Sequence, residues 1–175
     1  QGVCNTVMAL VNDGEEVIIP APYWVSSPQM VKLAGGEPVI VEAGFEQNFK
    51  ITAAQLEAAI TPKTRMLILC SPSNPTGSVY SKEELKALAD VILSHDDLFV
   101  LADEIYEHIN YVGKHESIAQ FPGMKERSII VNGVSKAYAM TGWRIGYIAA
   151  PEWIVKGCNK LQGQYTSGPC SVSQK

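Results

Sequence analysis

An acid, an amine, a guanidinium, a phenol, an amide and an indole fall in four short segments of this sequence. The segments are Pro20-Ala21-Pro22-Tyr23-Trp24, Ser71-Pro72-Ser73-Asn74-Pro75-Thr76-Gly77, Ala102-Asp103-Glu104-Ile105-Tyr106 and the stretch from Gly133 to Gly146 that holds Lys136 and Arg144. Asp103 follows the apolar run Leu98–Ala102. Its carboxylate is therefore expected at a sheet edge with little water, where it needs a cationic or hydrogen-bonding partner. Lys136 follows another apolar run, Ser128–Val131. A lysine in a partly desolvated, electropositive pocket loses its proton more easily and becomes a nucleophile. Arg144 supplies a planar fork suited to phosphate. Taken singly, each residue has a plain structural reading. Lys136 is a solvated side chain, Asp103 a turn or helix cap, Arg144 an ion-pair residue and Trp24 a core or interface ring. Asn74-Pro75-Thr76-Gly77 alone is a turn. Only the constellation points to a catalytic site.

The surrounding pattern shows what positions these segments. Six apolar runs have strand length: Glu16–Ile19, Pro38–Val41, Met66–Leu69, Leu98–Leu101, Ser128–Val131 and Ile145–Ala149. Most are rich in β-branched residues. They read as apolar on both faces, as strands covered by helices on both sides must be. Amphipathic stretches separate them. Val3–Asn12 precedes a turn at Asp13-Gly14, and the stretch around Met30–Leu33 stops at Gly35-Gly36. Thr52 caps a helix with Leu56, Ala59 and Ile60. Ser81-Lys82-Glu83-Glu84 is a capping box that opens a helix with Leu85, Leu88, Ala89 and Ile92 on one face. A last helix runs from about Pro151 through Leu161. This alternation predicts an α/β fold, a three-layer αβα sandwich around a mostly parallel sheet. In such sheets ligands sit beyond the strand C-termini, where the four segments lie.

Bulk properties exclude other classes. Of 175 residues, 46% are hydrophobic and 18% charged, which suits a globular α/β domain. Net charge is 14 − 18 = −4, with no Lys/Arg cluster, so neither nucleic acid nor an anionic membrane is expected as a partner. No apolar run approaches the roughly 20 residues that span a bilayer. Cys4, Cys70, Cys158 and Cys170 are far apart and form no C-x-x-C pair, so they read as idle thiols of a reducing cytoplasm. No metal site is expected. A dinucleotide-binding domain is disfavoured because no G-x-G-x-x-G follows a strand, and no G-x-x-x-x-G-K-[ST] suggests a nucleotide phosphatase.

With these motifs in hand, the whole chain resembles the large domain of the class I aminotransferases, the fold-type I pyridoxal 5'-phosphate (PLP) enzymes. The lysine segment carries the family signature: small, apolar, small, Lys136, then Arg144 eight positions on, then apolar-Gly. Ser73-Asn74-Pro75-Thr76-Gly77 and Asp103-Glu104-Ile105-Tyr106 match in order and distance. Ala21-Pro22-Tyr23-Trp24 and Met140-Thr141-Gly142-Trp143-Arg144 are most similar to the bacterial aspartate aminotransferases, a subgroup that includes the aspartate/prephenate enzymes. The resemblance implies transamination from an amino acid, aspartate foremost, to a 2-oxo acid. Lys136 is then the catalytic lysine, which binds the cofactor aldehyde and later moves the substrate proton. Asp103 pairs with the ring nitrogen. Tyr106 and Asn74 hydrogen-bond the ring's phenolic oxygen, Trp24 stacks on the ring, and Arg144 holds the phosphate. Trp24 and Asn74 also face substrate. Asn74-Pro75 is a candidate cis bond. The sequence departs from some relatives at Gly133, where they carry a phosphate-binding serine; Ser135 is the candidate replacement.

The resemblance also implies that residues 1–175 are part of a large domain. The phosphate-binding glycine loop is expected before Gln1. The arginine for the substrate α-carboxylate is expected in a small domain beyond Lys175. A cytoplasmic homodimer sharing active-site residues is the expected assembly, and this stretch alone is expected to turn over nothing. The same cofactor machinery serves C–S β-lyases and S-adenosylmethionine cyclisation, and a related domain occurs in transcriptional regulators. The Ala-Pro-Tyr-Trp and Met-Thr-Gly-Trp-Arg contexts favour transamination over these.

Overall fold

The computed structural model describes residues 1–175. Helix α1 (Gly2–Leu10) leads to strand β1 (Glu16–Ala21), helix α2 (Ser27–Leu33) and strand β2 (Glu37–Glu42). Helix α3 (Ala53–Ala59), strand β3 (Thr64–Cys70), helix α4 (Lys82–Leu93) and strand β4 (Phe99–Asp103) follow. Strands β5 (Ser128–Gly133) and β6 (Gly146–Ala149) precede helix α5 (Glu152–Tyr165). The strands form one sheet in the order β2-β1-β3-β4-β5-β6. All neighbours are parallel except β5 and β6, which run antiparallel. No helix is long and apolar enough to cross a membrane.

Two caps fix where helices begin. Ser81 Oγ accepts from the Glu84 N–H at 3.2 Å, and the Glu84 carboxylate accepts from the Ser81 N–H at 2.7 Å. Thr52 and Gln55 form the same reciprocal box at α3. Each box satisfies donors that a helix N-terminus leaves unpaired. Helix α1 stops at Leu10 rather than Asn12, because Val11 is already extended.

The strand period of two divides the core in two. Ile18, Leu67, Leu69, Val100 and Ala102 face one cluster, shared with Leu56 of α3 and Leu85, Leu88 and Ile92 of α4. Their neighbours Val17, Ile19, Met66, Ile68, Phe99 and Leu101 face the other, with Val7 and Leu10 of α1, Val31 of α2 and Ile154 of α5. The central strands are thus covered on both sides, as their composition implies. The outer strands β2 and β6 are not, which corrects the reading of all six as buried on both faces. Ile40 of β2 is 39% exposed and Tyr147 of β6 is 56% exposed, because each strand has a neighbour on one side only.

Candidate active site

The four chemistry-bearing segments leave the C-terminal ends of β1, β3, β4 and β5, all of which point the same way in the parallel part of the sheet. They enclose a cavity of about 210 Å³. Trp24, Asn74, Asp103, Tyr106 and Lys136 all line it. The loop after β3 reaches the cavity through a tight turn in which the Gly77 N–H donates to the Ser73 carbonyl at 2.9 Å. Gly77 sits at φ +75°, a conformation that favours glycine. The Asn74-Pro75 bond is cis, as the family resemblance implies; Ala21-Pro22 and Ser71-Pro72 are also cis, which was not expected.

Of the 18 lining residues 11 are hydrophobic, and Asp103 and Lys136 are the only charged ones. The acid is therefore the poorly solvated group. Burial pushes the Asp103 carboxyl up from its ordinary value, and the neighbouring Glu104 charge adds to the shift. The Ile105 N–H, donating to Asp103 Oδ1 at 3.2 Å, and the Lys136 charge act against it. One backbone donor is little for a half-buried carboxylate, so the site is suited to receive a cation. Lys136 differs from the expectation of a desolvated amine. It stands exposed while lining the cavity. Its Nζ lies 5.7 Å from the centre of the Tyr106 ring.

Arg144 is not brought to the cavity wall. Its guanidinium donates to the Thr141 carbonyl at 2.7 Å, within its own exposed turn, and its backbone is left-handed at φ 57°. Ser135 does not line the cavity either. A serine cannot replace Gly133 in this geometry. A Cβ there would lie 2.8 Å from the Ile145 carbonyl oxygen and 2.9 Å from Gly146 Cα, since the two glycines face each other across β5 and β6.

Cys70 and Phe49 are among the lining residues that escaped the sequence reading. Cys70, read there as an idle thiol, ends β3 as the register partner of Asp103. Burial first, and then the Asp103 charge, push its thiol up to about 12. It is held neutral and donates to the Pro72 carbonyl at 3.3 Å. Its place immediately before the Ser-Pro-Ser-Asn segment was the available signal. Phe49 lines the cavity from a left-handed backbone at φ 57°. No residue pattern announces that conformation for a phenylalanine. The structure also gathers Glu104, Glu107 and His115, whose donor atoms lie within 4.8 Å of one another, although the sequence showed no such cluster.

These residues fit a substituted pyridine that carries an aldehyde. A cavity of about 150 Å³ takes a benzene, so the volume here admits a substituted ring. The half-buried acid suits a ring nitrogen, the amine suits an aldehyde, and Trp24 offers an aromatic face.

Comparison with known proteins agrees. The model for aminotransferase class I and II matches residues 2–175. A bifunctional aspartate aminotransferase and glutamate/aspartate-prephenate aminotransferase of Petunia hybrida is 51% identical, covering 100% of this chain and 37% of its own length. An aspartate aminotransferase of Geobacillus stearothermophilus is 57% identical over 94% of this chain and 42% of its own. Among solved structures, the aspartate aminotransferase of Rhizobium meliloti superposes with a TM-score of 0.95 at 48% identity, over 98% of this chain and 44% of that one. The aromatic aminotransferase of Pyrococcus horikoshii gives 0.96 at 46%, over 99% and 47%. The chain spans less than half the length of these relatives. It belongs to the class I and II aminotransferase family, whose cofactor is pyridoxal 5'-phosphate.

Proposed function

We propose that the full-length protein transfers the amino group of an amino acid, aspartate foremost, to a 2-oxo acid. The observation that carries this reading is the meeting of Asp103, Lys136, Tyr106, Asn74 and Trp24 on one cavity of this family's fold. Relatives named as aspartate and aspartate/prephenate aminotransferases support aspartate as donor. They also favour transamination over the β-lyase and regulator readings.

Bound PLP supplies an electron sink and an aldehyde that accepts the amino group. The chain's own residues do the rest. Asp103 would hold its negative charge against the ring nitrogen and so favour a proton there. Lys136 Nζ would hold the cofactor through its aldehyde and would serve as the base for the proton on the substrate α-carbon. The Tyr106 hydroxyl and the Asn74 amide are assigned to the ring's phenolic oxygen. Trp24 gives a stacking face, worth roughly 0.5–1.5 kcal/mol beyond area burial. Arg144 is assigned to the phosphate, for which it must leave the Thr141 carbonyl. The neutral Cys70 thiol fills the wall beside Asp103 without adding charge.

The same proposal makes residues 1–175 part of a larger PLP-binding domain, in a cytoplasmic homodimer that uses small amino and oxo acids. The 175-residue stretch alone is assigned no turnover. The test is a half-reaction. Full-length protein loaded with PLP and given aspartate should convert the cofactor absorbance to that of pyridoxamine phosphate and release oxaloacetate. Pyruvate and ammonia from a thiol amino acid, without that conversion, would overturn it.

A further inference from the structure

Successive residues at the end of β4 point to opposite faces of the sheet. Asp103 continues the face of Phe99 and Leu101 and reaches the cavity. Glu104 continues the face of Val100 and Ala102, on the side of α4, where its side chain is 8% exposed. A carboxylate so buried needs a partner. It has one in His115, eleven residues on, whose Nε2 lies 3.0 Å from Glu104 Oε2. The contact closes a loop that contains Tyr106. That loop is tied at its start by the Glu104 N–H, which donates to the Val131 carbonyl of β5 at 2.9 Å. His115 Nδ1 is buried without any partner.

We propose that Glu104 and His115 are a positioning pair behind the cavity, which clamps the segment bearing Tyr106 and sets the charge that stands behind Asp103. The inference rests on the reading of Asp103 and Lys136 as the cofactor's partners. Glu104 is shared between two titrating groups. On one side its charge raises the proton affinity of Asp103, which also faces Lys136 and the Cys70 thiol. On the other it accepts from His115, whose proton affinity it raises, with Glu107 and Glu116 adding smaller contributions of the same sign. The orphaned Nδ1 opposes full protonation, because a proton there has no acceptor. When His115 is charged, the pair is neutral and the cavity sees little of Glu104. When His115 is neutral, one uncompensated negative charge stands behind Asp103 and raises its proton affinity.

A merely structural clamp would make either truncation harmful in the same sense. A charge-setting pair makes them opposite. In full-length protein loaded with PLP, the pH midpoint of the cofactor's visible absorbance should rise in His115→Gln, which leaves Glu104 uncompensated. It should fall or stay in Glu104→Gln, and return towards the parent value in the double variant. The His115→Gln shift should be on the order of one pH unit. Shifts of the same sign in both single variants, or a double variant shifted further than either, would overturn the proposal.

A second measurement needs no substitution in the pair. The His115 imidazole midpoint, followed by NMR, should fall in cofactor-free Asp103→Asn, since linkage is reciprocal. An unchanged midpoint would overturn the proposal whatever the cofactor does. If instead the parent protein shows no visible cofactor absorbance while the His115 midpoint still responds to Asp103→Asn, the cofactor reading fails and the charge coupling stands.

Discussion

The Lys136 ammonium lies 5.7 Å from the centre of the Tyr106 ring, so the loops after β4 and β5 meet over the cavity through an amine and a phenol. Tyr106 thus has two parts with separable duties. The ring holds the lysine, and the hydroxyl is the assigned donor to the cofactor's phenolic oxygen. Tyr106→Phe in the full-length protein should keep the fold and the ring contact while weakening PLP binding about 10-fold, as expected for losing one hydrogen bond to a charged group. Equilibrium dialysis of PLP reads this directly. Unchanged affinity would remove the hydroxyl from the site.

Asp103 should lower the stability of the protein in the absence of its cofactor. Its carboxyl holds a proton more tightly folded than unfolded, chiefly because it is buried. The stability it contributes is therefore fully present below its unfolded pKa, about 3.9, and is lost as pH rises through the higher folded value. Asp103→Asn carries no charge and suffers no such loss. The cofactor-free variant should melt at the same temperature as the parent at about pH 4 and below, and higher than the parent at neutral pH. A melting difference independent of pH would contradict the assignment.

Gly133 is fixed by the sheet, not by the cofactor. Because a Cβ at this position meets the Ile145 carbonyl and Gly146 Cα below 3.0 Å, Gly133→Ser must push β5 and β6 apart. Overpacking of this kind costs typically about 1–3 kcal/mol, which urea denaturation would show as a lower midpoint at unchanged slope. A neutral Gly133→Ser would mean that the β5–β6 pair is looser than its register implies.

The cap at α4 is a control outside the cavity lining, although Tyr80 beside it lines the cavity. Ser81→Ala removes the acceptor of the Glu84 N–H and should cost about 1 kcal/mol, with no change in PLP affinity. Loss of PLP binding in this variant would show that α4 and the cavity are coupled.

The strands and helices were legible because each has a local cause. Ile18, Leu67 and Val100 lie in short, continuous apolar runs, and Ser81 and Thr52 announce their helices by side chains three residues from a partner. The exposed faces of β2 and β6 were not legible, since composition does not say which strand ends a sheet. Asp103 and Lys136 could be placed at strand ends from order alone. The orientation of Arg144 could not. Spacing does not reveal that Thr141 offers a carbonyl to the guanidinium, or that residue 144 turns left-handed. The Glu104–His115 pair was hidden for a similar reason. It spans a loop with no periodic pattern, and only the alternation at the end of β4 sends Glu104 to the face where His115 waits.

Borohydride reduction of the full-length protein with PLP, followed by peptide mass spectrometry, tests the central assignment most directly. A cofactor-sized mass increment should sit on the peptide containing Lys136 and vanish in Lys136→Ala. An increment on a different lysine of the folded protein, with residue 136 unmodified, would contradict the account.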